Sequence, residues 1–262
     1  IVNTSGGVDT KWTAEQVVNL TYCVSTTFGE NYPGMVQAMN DAVDAWEAVS
    51  TVNFVHVVDQ DGDCTRTNPK VLFDVRPIDS FGQYLARAFF PNASRSARNI
   101  LVDGSAFDVS EPLTLTGILR HELGHVLGFR HAHTRPEAGT CFEDNNWRDL
   151  TPYDSNSVMH YPQCNGTGDF SLDITSFDAQ GVVALYGSGE PPPPPGGIEL
   201  DEQFQGGVAR GEEDRFGPFN VVTGTTFTAI MSDGSGDPDL YVRFDAEPST
   251  GSYTCRPYRV GS

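Results

Sequence analysis

Basic side chains are scarce in this chain. Sixteen Lys and Arg face 35 Asp and Glu, for a formal net charge of −19. A surface so acidic repels a phosphate backbone, which disfavours nucleic acid as a partner. Long apolar runs are also missing, and none approaches the ~20 residues needed to cross a bilayer as a helix. No G-x-S-x-G segment occurs, which removes the serine-hydrolase elbow. The five cysteines, Cys23, Cys64, Cys141, Cys164 and Cys255, form no CxxC pair, so thiolate zinc sites and thioredoxin-like redox chemistry are disfavoured. Disulfides in an oxidising compartment fit better. The four cysteines before residue 190 allow three pairings, of which Cys23–Cys64 and Cys141–Cys164 are favoured, leaving Cys255 over. The chain opens at Ile1 without a signal-like apolar segment and is read as a processed, secreted form.

Histidine is also rare, six in all, yet three fall within eleven residues, HELGHVLGFRH. Residues four apart share one face of an α-helix, so His121 and His125 can reach one metal ion. Glu122 sits beside the first ligand, where a carboxylate can take a proton from water activated by that metal. Gly128 can adopt positive φ, end the helix and swing His131 back as a third imidazole. Three protein ligands leave a coordination position open, which is the catalytic arrangement for Zn2+ and not the closed structural one. The motif therefore points to a zinc endopeptidase acting on polypeptide substrates. His56 reads as a satisfied strand histidine. His133 and His160 read as non-ligands, because three ligands already suffice.

A run of five prolines between glycines, at 187–197, marks a spacer and a domain break. The chain is thus read as a catalytic domain (1–187), a Pro/Gly linker (188–197) and a C-terminal domain (198–262). In the first part, 17–25, 52–58, 71–78, 84–90 and 99–103 read as strands. Met35, Val36, Met39, Val43, Trp46 and Val49 repeat at helical spacing after a Pro33–Gly34 turn. The motif helix is placed from near Pro112, and a last helix over 176–185. The fold class is α+β, a mixed twisted sheet with an active-site helix. Alternating apolar residues between turn signals at 221–222, 225–231 and 239–244 predict a small all-β sandwich that lacks its final strand. DQDGDC (59–64) spaces three carboxylates around a glycine. An acidic turn is the preferred reading and a Ca2+ loop the alternative, since the distal glutamate and following helix of an EF-hand are missing. Asp233, Asp237 and Asp239 are read the same way.

HELGHVLGFRH, together with SVMHY (157–161), LARAFFP (85–91) and Lys11–Trp12 ahead of the first strand, resembles the metzincin metalloproteases, in particular their astacin-like bacterial secreted branch. The resemblance implies that Met159 lies beneath the metal as an apolar floor. It implies that Tyr161 ligates the resting metal or donates to the oxyanion, and that Ala86, Arg87, Ala88 and Phe89 form an edge strand that pairs with substrate. Ala132 stands where astacins carry the glutamate that holds a buried N-terminus, so that docking is not expected to carry over. FQGGVARGEEDRFGPF and the 237–244 segment resemble part of a bacterial pre-peptidase C-terminal domain. The expectation is a monomeric, extracellular bacterial protease with one catalytic Zn2+. The rival readings are a matrixin-like metzincin and an inactive metzincin scaffold serving as a binding or adhesion protein. Tyr161 separates the first rival, and the complete set of catalytic positions argues against the second.

Overall fold

The computed structural model describes residues 1–187, 214–216 and 241–243. Internal contacts divide the chain into two compact units, Ile1–Pro192 and Pro193–Ser262. The expected β-sandwich, Cys255 and the 233–239 acidic cluster lie outside the described residues.

The first unit is α+β, as expected. Its N-terminal hairpin pairs β1 (Val2–Ser5) with β2 (Val8–Asp9). A single helical turn follows, α1 (Ala14–Val17), closed by a reciprocal cap between Thr13 and Gln16. That cap shortens the strand expected over 17–25 to β3 (Leu20–Val24). The long helix α2 (Tyr32–Glu47) begins before the anticipated turn. Pro33 lies in its first turn, where a missing N–H costs nothing because that donor has no partner within the helix. Met35, Met39, Val43 and Trp46 are buried as the spacing required, whereas Val36 and Val49 are only partly covered.

Strands β4 (Phe54–His56), β5 (Phe73–Ile78), β6 (Ala86–Arg87) and β7 (Asn99–Asp103) complete the main sheet. Its order is β4-β3-β5-β7-β6. Four strands are parallel, and only the edge strand β6 runs antiparallel, pairing Ala86 with Val102 and Arg87 with Leu101. The motif helix α3 (Leu115–Val126) starts later than Pro112 suggested, because Thr114 caps it by accepting the Gly117 N–H. Helices α2 and α3 lock together where Trp46 Nε1 donates to Arg120 O at 2.9 Å and its ring stacks on Phe129. A short strand β8 (Trp147–Arg148) pairs with β1, and α4 (Ser176–Tyr186) closes the unit. No helix among the described residues is long and apolar enough to cross a membrane.

Both favoured disulfides, Cys23–Cys64 and Cys141–Cys164, are formed. The 59–64 segment lies in a short helical turn. Its buried Asp61 accepts from the Val24 N–H, the Tyr32 hydroxyl and His56 Nε2, which also satisfies His56. Asp59 and Asp63 stay exposed.

Candidate metal and catalytic centre

Helix α3 carries His121, Glu122 and His125 and must stop abruptly for His131 to face them. Gly128 supplies the stop. Its φ is 95°, and its N–H bonds back to His125 O while Phe129 N–H bonds to Gly124 O. A Cβ there would lie 2.4 Å from Thr10 O, so glycine is required by both the torsion and the neighbour.

The three imidazoles are oriented by what their Nδ1 atoms touch. His121 Nδ1 lies 2.7 Å from Val158 O, and His125 Nδ1 lies 2.7 Å from Phe129 O. His131 Nδ1 lies 2.5 Å from Glu143 Oε1. Carbonyls and carboxylates only accept, so each ring carries its proton on Nδ1 and turns a bare Nε2 lone pair inward. His131 Nε2 sits 3.1 Å from both His121 Nε2 and His125 Nε2, with no proton left to share. Lone pairs facing one another at that distance call for a cation. A tetrahedral zinc with bonds of ~2.0–2.1 Å would set its ligand atoms about 3.3 Å apart, close to what is seen. The donor set therefore fits the ion the motif implied. Burial and mutual proximity favour the neutral rings that a metal needs: the His121 pKa is pushed down to about 3, first by desolvation and then by His131. His125 is driven well below its ordinary value for the same reasons.

Glu122 is buried, and burial pushes its carboxyl up to about 8 against the pull of a backbone hydrogen bond from Ala88 and the charge of Arg87. Its Oε2 has no hydrogen-bond partner among the described residues. Such an oxygen is costly unless it has work on a bound molecule. Of the four residues assigned to the edge strand, Phe89 is a core side chain, packed against Trp12 and Phe73.

Met159 lies directly under α3, and a Cβ at Gly124 would fall 2.2 Å from its sulfur. The turn that carries it is pinned by Asp178, which accepts from Ser157 Oγ (2.5 Å) and Val158 N–H (2.8 Å). The Tyr161 ring lies 4.4 Å from that of His131 and 5.3 Å from that of His121. Burial, with Glu122 and Glu143 nearby, pushes its phenol up to about 12, so it remains a proton donor. His160 turns away to bond the Tyr153 hydroxyl at 2.8 Å. Ala132 offers no carboxylate, yet the N-terminal segment docks all the same. It does so by backbone pairing: Asn3 N–H to Gly128 O, Arg130 N–H to Ile1 O, and Val2 opposite Phe129. Two participants escaped the sequence reading, Glu143 and Asp178. Neither stands in a motif, and only the folded chain brings them to the site.

A sequence model of the matrixin family matches residues 11–138. The chain is 38% identical over 90 residues to a zinc metalloprotease of Helicobacter pylori, covering 34% of each sequence. It is 27% identical over 181 residues to human Tolloid-like protein 1, covering 61% of this chain and 16% of that protein. The chain thus spans about a third or less of the length of these relatives. Among solved structures it is similar to myroilysin, with a TM-score of 0.47 and 16% identity over 68% of this chain and 95% of that one.

Proposed function

We propose that this chain is a secreted, monomeric zinc endopeptidase of the metzincin type, on the astacin-like side. In this reading residues 1–187 are its catalytic domain and the segment after the proline linker is an accessory module. One observation carries the proposal: three inward Nε2 atoms, each freed by an Nδ1 acceptor, converge beside a buried carboxylate oxygen with no partner among the described residues. Similarity to zinc metalloproteases supports the same chemistry.

His121, His125 and His131 would hold the ion. When bound, zinc supplies Lewis acidity to a peptide carbonyl and makes water more acidic. The chain's own groups do the rest. An extended peptide adds to the open edge of β6 through backbone hydrogen bonds. Glu122 takes a proton from the attacking water at its Oε2, which has no partner among the described residues, and delivers it to the leaving amine. Tyr161, still protonated, donates to the oxyanion. Met159 gives the site an apolar floor.

The matrixin match favours a second reading, a matrixin-like protease, in which Tyr161 is only packing. That match ends before the turn bearing Tyr161, so it supports the helix and not the choice of branch. Tyr161→Phe separates the two, since only the astacin-like reading predicts a fall in kcat at unchanged zinc content. The central test is cleavage of an unfolded protein substrate, with zinc content measured in parallel. Glu122→Gln should keep one zinc and lose ~10²–10⁴-fold in kcat/KM, and a chelator should silence the wild type. Full activity in Glu122→Gln would overturn the mechanism.

A further inference from the structure

Glu143 lies outside the zinc motif, in a loop tied down by the Cys141–Cys164 disulfide. Its carboxylate accepts two hydrogen bonds and has a third N–H group nearby. Oε1 accepts from His131 Nδ1 at 2.5 Å, Oε2 accepts from Arg130 Nη2 at 2.7 Å, and His133 Nε2 stands 3.5 Å from Oε1. The loop is held from behind as well: Glu143 N–H donates to Thr134 Oγ1 at 3.0 Å, and Arg130 Nη1 reaches Asp144 Oδ1 at 2.7 Å.

His131, His133 and Glu143 are close enough together to suggest a second cation site. Proton placement argues otherwise. His133 Nδ1 accepts the Tyr161 backbone N–H at 3.2 Å, so the proton of this ring sits on Nε2 and faces Glu143. His131 likewise presents Nδ1–H to it. No bare nitrogen lone pair points into this cluster: the carboxylate accepts from the His131 N–H and a guanidinium, and His133 Nε2 stands 3.5 Å away.

We propose that Glu143 is the positioning residue of the third metal ligand. It fixes the tautomer and tilt of His131 through the Nδ1 contact. His121 and His125 need no such residue, because backbone carbonyls next to α3 orient them. His131 lies beyond the helix and has only this carboxylate. The proposal rests on the zinc reading above. Removal of a carboxylate bonded to a ligating histidine lowers metal affinity by ~10–100-fold.

The test is competition between the full-length protein and a chromophoric zinc chelator, together with the absorption spectrum of the cobalt-substituted protein. Glu143→Gln and Glu143→Ala should each weaken zinc binding ~10–100-fold and alter the cobalt bands, with the metal-free protein still folded by circular dichroism. Asp144→Asn removes the neighbouring acid and leaves His131 its partner, so it should bind zinc like the wild type. If the wild type takes up no stoichiometric zinc, the function proposed above fails and this inference falls with it. If the wild type binds zinc and the Glu143 variants match it within twofold, this inference alone is overturned. It is equally overturned if Asp144→Asn loses as much affinity, because the loop would then be mere scaffolding.

Discussion

Replacing Gly128 with alanine tests whether the end of the motif helix is held by torsion alone or also by the chain packed on it. Gly128 has φ 95°, and its missing Cβ would sit 2.4 Å from Thr10 O. Gly139 provides the internal control. Its φ is 70°, and a Cβ there would meet nothing within 4 Å. Gly139→Ala should therefore cost only the penalty of a left-handed L-residue, ~1–2 kcal/mol. Gly128→Ala pays that penalty and must also push away the strand lying on it. Real Cβ atoms do not come within 3.0 Å of another heavy atom, and the obstacle is backbone, so the segment bearing Thr10 has to move. That movement endangers Asn3 N–H to Gly128 O and Thr10 N–H to Asn3 O, each worth ~0.5–1.5 kcal/mol. The expected total is ~2–5 kcal/mol. Urea unfolding of both variants, fitted with a common slope, measures the difference. Equal losses at the two positions would refute the argument from close approach.

Other consequences can be measured in the same way. Glu47 accepts the Phe54 N–H at 2.6 Å, and burial raises its carboxyl from 4.5 to about 7, opposed by that bond and assisted by Asp44. The native state holds this proton more tightly than the unfolded chain. Its stabilising effect is therefore complete below pH 4.5 and is lost as the pH rises to about 7. Glu47→Gln, which still accepts but cannot ionise, should flatten the stability profile over that window; superimposable profiles would contradict the assignment. Replacing Cys23 and Cys64 together by alanine opens a loop closed across 41 residues of sequence, and chain entropy puts the loss at about 4 kcal/mol, read by urea unfolding. Gly124→Ala would drive a methyl into the Met159 sulfur, so it should reduce zinc retention against a chelator even though alanine favours a helix; unchanged retention would show that the Met159 floor is not rigid.

Much of the site could be read directly because it is local. His121, Glu122 and His125 share one helix, and helical geometry alone brings the two imidazoles to one side. Gly128 could be interpreted because few residues accept positive φ. The apolar spacing of α2 likewise follows from its period, although Pro33 was mistaken for a boundary when it lies inside the first turn. Strand 99–103 was found in full, since an uninterrupted β-branched and apolar stretch buried on both faces has no competitor. Strand β6, which spans only Ala86–Arg87, was overextended, because nothing in LARAFFP tells that Phe89 enters the core.

The sequence by itself determined a helix with two facing imidazoles, a carboxylate beside them and a turn that can return a third. Those are matters of spacing and torsion within eleven residues. Only the tertiary structure decided which nitrogen each ring turns inward, because that depends on acceptors supplied by Val158, Phe129 and Glu143. It also decided that the N-terminal strand docks without a glutamate at 132, since unpaired backbone groups can pair wherever two strands meet. A hydrogen-bond partner can lie anywhere along the chain, so it leaves no periodic trace. The three histidines stand in a motif for that reason, and Glu143 does not.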